Sequence, residues 1–207
     1  MKTVIEVGVN EGTDTYSYLD RSDMVLYGFE PTLELVHMLN KKFANDDRVK
    51  IIPLAVDVEN RFTTFNIAGW MNWGCSSLNS FNEEELSDKW RVTESNGNSY
   101  DFHYTNKQKV MTIRLDDFCR MHNITNIDFL HVDAQGSDFN VLKSLGDYID
   151  IVQQGKVEVS YNIPLYKGVD NSFESVSKWL TEKGFVYDVE YDHPVHKSEA
   201  NIIFRRR

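Results

Sequence analysis

Short runs of β-branched and aromatic residues alternate with helical patterns through the first part of the chain. Thr3–Val7, Met24–Phe29 and Val49–Val56 are nearly continuous apolar stretches, the pattern of strands covered on both faces. Between the first two, Thr13 to Leu19 reads as a helix. Pro31 opens another, with Leu35, Val36, Leu39 and Phe43 on one face. Strand and helix in alternation predict βα units around a parallel sheet, an α/β architecture.

From Asp57 to about Lys109 the alternation breaks. One strand-like piece (Phe62–Ile67) is followed by a polar stretch carrying Trp70, Trp73, Trp90 and an acidic run at Glu83 to Glu85. This segment, about 57–109, is too long for an ordinary connection and is read as an insertion forming a lid or loop on the acceptor side of a cleft. Its aromatic faces in a polar setting suit the CH faces and hydroxyls of a sugar, or serve as anchors for a long loop. Regular patterns then resume: Val110–Arg114, a short amphipathic helix holding Phe118 and Cys119, and a strong strand Ile127–Asp133. A helix with Phe139, Leu142 and Leu145, a strand Val157–Val159 and a helix Phe173–Lys183 closed by Gly184 come next. Phe185–Tyr191 and Ala200–Phe204 are close enough in sequence to pair antiparallel. One domain spanning 1–207 is expected.

The composition narrows the chemistry. With 22 Lys+Arg against 32 Asp+Glu the net charge is −10, and the one basic cluster is Arg205–Arg207. Such a surface repels phosphate backbones, so no nucleic-acid partner is expected. No apolar stretch is long enough to cross a membrane, Cys75 and Cys119 lie far apart without a CxxC motif, and a soluble cytoplasmic protein is expected.

The chemistry concentrates at strand ends. Glu6-Val-Gly8-Val-Asn10-Glu-Gly12 is a buried strand followed by a glycine-punctuated turn and then a helix, the place where open α/β sheets bind nucleotide-like ligands. The dinucleotide fingerprint needs G-x-G-x-x-G, and position 10 is Asn, which disfavours NAD. Acidic-x-Gly-x-x-x-Gly instead is the pattern of enzymes using S-adenosylmethionine (SAM), a cofactor with an amine and a sulfonium and no phosphate. Glu6 is placed to meet its cationic end, and Gly8 to admit its backbone. Glu30, 18 residues beyond Gly12 at the end of the second strand, is placed to take both ribose hydroxyls. Strand periodicity sets His131 and Asp133 on one face, a candidate acid/base pair for a hydroxyl that must lose its proton as it attacks a methyl group. Carboxylates at Asp116, Asp117 and Asp138 could join Asp133 around Mg²⁺ or Mn²⁺, but no metal is assigned.

These segments together resemble the FkbM-type SAM-dependent methyltransferases, which act mostly on hydroxyl groups of sugars and other natural products. Val4–Thr15 is similar to the family's cofactor loop, Tyr27–Pro31 to its ribose-binding strand end, and Leu54–Asp57 to the third-strand end beside adenine. Cys75–Leu78 resembles its serine-containing segment. Thr112–Phe118 and Ile127–Leu142 resemble its most specific run. The family usually has Lys where this chain has His131 and Glu where it has Gln135; if that Lys and Glu serve catalysis, the resemblance implies a different proton acceptor here.

The resemblance implies a Rossmann-like class I methyltransferase fold, a mostly parallel seven-stranded sheet with an antiparallel C-terminal hairpin and helices on both faces. It implies SAM as cofactor and S-adenosylhomocysteine (SAH) as product. Glu6, Gly8, Asn10, Gly12, Thr13, Asp14, Thr15, Glu30, Pro31, Ala55, Val56, Asp57 and Asp133 would bind the cofactor; Asp133, His131 and Glu158 would carry the chemistry. The expected reaction is O-methylation of a sugar, a glycan or another small-molecule hydroxyl, within a larger glycan-building protein or pathway. A non-catalytic SAM-binding module is the rival reading. The chain has no Asn/Asp-Pro-Pro-aromatic motif and no Pro-Cys nucleophile, which argues against methylation of nucleobases.

Overall fold

The computed structural model describes residues 1–19, 23–68, 73–82, 91–93, 99–101, 104–161, 166–191 and 199–207. Trp70, Trp90 and the acidic run Glu83 to Glu85 lie outside them. In chain order, β1 (Lys2–Val7), α1 (Thr13–Leu19), β2 (Met24–Phe29), α2 (Leu33–Lys42) and β3 (Val49–Ile52) build the first half of a sheet. β4 (Ala55–Val56), β5 (Phe62–Ile67), β6 (Arg91–Thr93), β7 (Ser99–Asp101) and β8 (Asn106–Ile113) then stand apart from it. The remaining elements are α3 (Leu115–Met121), β9 (Phe129–Val132), α4 (Asp138–Lys143), β10 (Gln154–Ser160), α5 (Phe173–Glu182), β11 (Phe185–Tyr191) and β12 (Glu199–Arg206).

The main sheet has seven strands in the order β11-β12-β10-β9-β1-β2-β3. β1 pairs in parallel with β2 and β9, and β12 runs antiparallel to both β10 and β11. The chain steps outward from β1 to β3 and then returns to the other side of β1 as β9. Such a reversal leaves a crevice at the carboxyl ends of β1 and β9. One face of the sheet buries Ile5, Val7, Leu130 and Val157 under Phe118, Leu142 and Leu180 from α3, α4 and α5. The other buries Val4, Met24 and Leu26 under Leu39 and Phe43. No helix among the described residues is long and apolar enough to cross a membrane.

The third expected strand, Val49–Val56, is corrected. β3 ends at Ile52, because Pro53 has no N–H to donate and Leu54 N turns back to Ile52 O at 2.8 Å. The chain thereby leaves the main sheet, and Ala55–Val56 pairs in parallel with β8. The helix after Gly136 is also shorter than the apolar spacing suggested, ending at Lys143 before a 3₁₀ turn at Gly146–Ile151. β5 and β8 pair antiparallel from Phe62↔Met111 to Ile67↔Asn106, so residues 68–105 leave and re-enter through one two-stranded stem.

Candidate active site

A cleft, partly open to solvent, lies at the carboxyl ends of β1, β2 and β9. Phe29, Pro31, Leu54, Ala55, Val56, Phe65 and Leu78 supply apolar wall; Glu30, Asp133 and Gln135 supply polar groups. Phe65 of β5 and Gly74, Ser76 and Leu78 of the segment 73–82 line one side of it.

Glu30 is 4% exposed. Its two oxygens accept from the backbone N–H groups of Asn10 (2.9 Å) and Thr32 (2.7 Å), which fixes the carboxylate against the β1 loop. Burial nevertheless pushes its pKa up to about 7, because two hydrogen bonds only partly replace the lost hydration. Asn10 itself has a left-handed backbone, φ 52°, at the tip of the turn. Two buried polar atoms on this wall, Asn10 Oδ1 and Thr32 Oγ1, have no partner, and such atoms suit a ligand with hydroxyls or amines. The turn at residues 31–33 is held from afar by Gln108 on β8, which donates to Pro31 O (2.6 Å) and accepts from Leu33 N (3.2 Å).

Gly8 has a physical reason other than ligand approach. Its φ is +90°, and a Cβ there would stand 1.8 Å from the carbonyl oxygen of Asp133. The glycine lets the loops after β1 and β9 cross in contact. Gly12, φ +72°, does the same for α2, since its Cβ would press on Leu39 and Phe43. Gly12, Thr13, Asp14 and Thr15 do not line the cleft.

Glu6 also lies off the cleft. Register pairs it with His131 across β1 and β9, and both face α1. Its carboxylate accepts from the Thr15 hydroxyl (2.7 Å) and stands 3.8 Å from His131 Nδ1, which has no hydrogen-bond partner. His131 is 3% exposed, with Tyr18 against its ring. So the pair that periodicity set on one face has different surroundings: Asp133 lines the cleft, and His131 lies in a buried cluster with Glu6 and Tyr18 behind the β1–α1 loop. Asp57, 4% exposed, pairs with Arg61 (2.7 Å) and accepts from Asn140 (3.1 Å), joining the start of the β4–β5 connection to α4.

At the other end of the cleft, Asp133 and Glu158 meet through one residue. Gln135 Nε2 donates to Asp133 Oδ1 (2.8 Å) and to Glu158 Oε2 (2.9 Å), while Tyr166 O–H donates to Gln135 Oε1 (2.7 Å). Burial holds the Asp133 pKa above the usual carboxylate range; the Gln135 hydrogen bond opposes the rise. Asp138 accepts from the backbone N–H groups of Ala134 and Gly136 and from Asn171, and so ties the Asp133–Gly136 loop to α4. Asp116 pairs with Arg114, and Asp117 with Arg120 and Asn60, so neither joins Asp133. Among the described residues no three His, Cys, Asp or Glu side chains are grouped to hold a metal.

The segment 73–82 reaches this end through Ser77, which lies in the serine-containing stretch noted above, and through Asn79 and Phe81, which the sequence did not single out. Ser77 Oγ donates to Gln135 O (2.6 Å), Asn79 Nδ2 donates to Ser137 Oγ (2.8 Å), and Phe81 stacks on Tyr104 with ring centroids 4.4 Å apart. Their signal in the sequence was weak, because Ser, Asn and Tyr in a polar stretch look like any solvated loop. Burial of Cys75 in the same segment pushes its thiol up to about 12, so it is protonated at neutral pH.

The FkbM methyltransferase domain model matches residues 6–187 of the chain. The 2-O-methyltransferase NoeI of Sinorhizobium fredii is 23% identical over 141 residues, which is 67% of this chain and 55% of that protein; the match thus spans little more than half of that relative. Among solved structures, an rRNA methylase of Streptococcus thermophilus is 8% identical with a TM-score of 0.51, over 99% of this chain and 86% of that one. Fibrillarin of Aeropyrum pernix, in complex with SAM, is 12% identical with a TM-score of 0.52, over 98% of this chain and 66% of that one. At such identities the structural likeness shows the fold alone, that of the class I methyltransferases. With the family model covering residues 6–187, and with them every residue that lines the cleft, the chain belongs to the FkbM methyltransferase domain family.

Proposed function

We propose that this protein is a SAM-dependent O-methyltransferase that transfers a methyl group to a hydroxyl of a sugar or glycan. The observation that carries the reading is a cleft at the β1/β9 reversal with Glu30 pinned on one wall and Asp133, bridged to Glu158, at the other end. The residues fit the cofactor: Glu30, Asn10 and Thr32 offer acceptors for ribose hydroxyls, and Pro31, Leu54, Ala55 and Val56 offer apolar wall for a base. When bound, SAM supplies an electrophilic methyl on a sulfonium.

The chain's own contribution is to orient and to accept a proton. The attacking hydroxyl becomes acidic as it bonds to the methyl carbon, and a carboxylate within hydrogen-bond reach takes that proton. Asp133 is the residue proposed for this role, with Glu158 beside it through Gln135. His131 is assigned to support of the Glu6–Thr15 cluster. Acceptance of a hydroxyl is supported by the similarity to a 2-O-methyltransferase. A net charge of −10 and two carboxylates in the cleft favour an uncharged acceptor over nucleic acid. The segment between β5 and β8 is proposed to form the acceptor side.

The test is a screen of hydroxylated acceptors with labelled SAM and mass analysis of the products. Addition of one methyl to a carbohydrate hydroxyl is expected. Labelling confined to RNA, or absence of SAM binding, refutes the proposal.

A further inference from the structure

We infer that Gln135 is the positioning residue of the methyl-transfer site, holding Asp133 and Glu158 as a paired acceptor and coupling both to the segment 73–82. This rests on the reaction proposed above and assigns a role to a residue that takes no proton itself.

Every hydrogen-bonding group of the Gln135 side chain is used. A carboxylate only accepts, so the amide must turn its NH₂ toward Asp133 and Glu158 and its oxygen toward the Tyr166 hydroxyl. Two carboxylate oxygens within 2.8 and 2.9 Å of one nitrogen are close enough to repel strongly away from water. The two N–H donors of the amide offset that repulsion and favour the charged, proton-accepting form of Asp133 against the burial that raises its pKa. The other charged or titratable groups that act on Asp133 electrostatically are His131 on β9, Lys156 on β10, Asp14 on α1 and Asp138 on α4, none of which is hydrogen-bonded to its carboxylate; Gln135 is.

The backbone of Gln135 is held just as firmly. Its φ of 49° is left-handed, which an unbranched non-glycine residue adopts only where surroundings enforce it. The enforcement comes from the Ser77 hydroxyl on Gln135 O and from Tyr166, whose ring lies where a Cβ on Gly136 would be. Tyr166 in turn packs on Phe81. A shift of segment 73–82 thus reaches both carboxylates through a single side chain.

The test uses Gln135→Met, which keeps length and an unbranched Cβ but donates nothing. The ¹³C carboxyl resonance of Asp133 is titrated in the intact protein, and kcat and acceptor KM are measured across pH. The expected result is an Asp133 titration about one pH unit or more higher than in the parent, the scale of one lost charge-assisted hydrogen bond. The acid limb of kcat should move with it, while acceptor KM stays within about threefold. Tyr166→Phe, which frees the amide without removing it, should shift both in the same direction by less, and keeps the inference testable if Gln135→Met folds poorly. An Asp133 titration unmoved in both variants, or one that moves while the kcat limb stays in place, overturns the inference. If the parent methylates no hydroxylated acceptor, the proposed reaction fails, whereas the titration still decides whether Gln135 governs the carboxylates.

Discussion

Binding of SAH to this protein should weaken steeply as pH falls below 7, through Glu30. The carboxyl is buried, is pinned by the N–H groups of Asn10 and Thr32, and has its pKa pushed up to about 7. Ribose hydroxyls donate to the charged form, so only the deprotonated fraction is competent to bind. At pH 5.5 that fraction gives an apparent affinity about thirtyfold below the alkaline limit. At pH 6 the protein should release about 0.9 proton on binding, read from calorimetry in two buffers of different ionisation enthalpy. Glu30→Gln has nearly the same shape but only one acceptor oxygen for two backbone donors. It should cost at least about tenfold in affinity at pH 8, from charge-assisted bonds of about 1.5–3 kcal/mol each, and should flatten this part of the pH dependence. Comparing parent and variant with one ligand removes titration of the ligand and of Asp133. Equal loss of affinity in both between pH 8 and 5.5 refutes the reasoning.

Gly8→Ala should fail to fold or lose more than about 3 kcal/mol, since its Cβ meets a backbone carbonyl rather than a side chain that can rotate; a melting temperature within a few degrees of the parent would contradict the loop crossing. Asp133→Asn should keep SAH binding and lose on the order of 10² in turnover. His131→Ala should instead appear mainly as a fall of about 4–8 °C in melting temperature, from a cavity beside Glu6 and Tyr18. Equal losses of turnover in those two variants would return His131 to the chemistry. Folded, ligand-free Glu30 stays protonated up to about 7 while the unfolded chain ionises near 4 to 5, so stability should fall as pH rises through that window, by up to about 3 kcal/mol, and then level off. Denaturant midpoints at pH 5 and 7 check this, and Glu30→Gln should remove that share of the slope.

Local pattern was sufficient for most strands and helices of the main sheet. Apolar runs of strand length, Gly8 and Gly12 after the first, and Glu30 at the end of the second are short-range features, set by burial and backbone sterics that act within a few residues. Even the C-terminal antiparallel pair followed from two strands close in sequence. What tertiary structure decided were facings and partners across the chain. Period-two alternation states that Glu6 or His131 shares a face with its neighbours two residues away, but not whether that face meets α1 or the cleft; strand order and helix packing settled that. Loops leave the alternation at strand ends, so Asp133 could turn to the cleft while His131 did not. Pro53 was visible in the sequence, yet only the competing partner β8 showed where the chain goes after it. Gln108 and Tyr166 sit at positions that carry no local signature, and the stretches that hold Ser77 and Gln135 gave no sign of the partners these residues meet. Their hydrogen bonds join residues 75, 58 and 31 apart, distances over which a single sequence holds no record of contact.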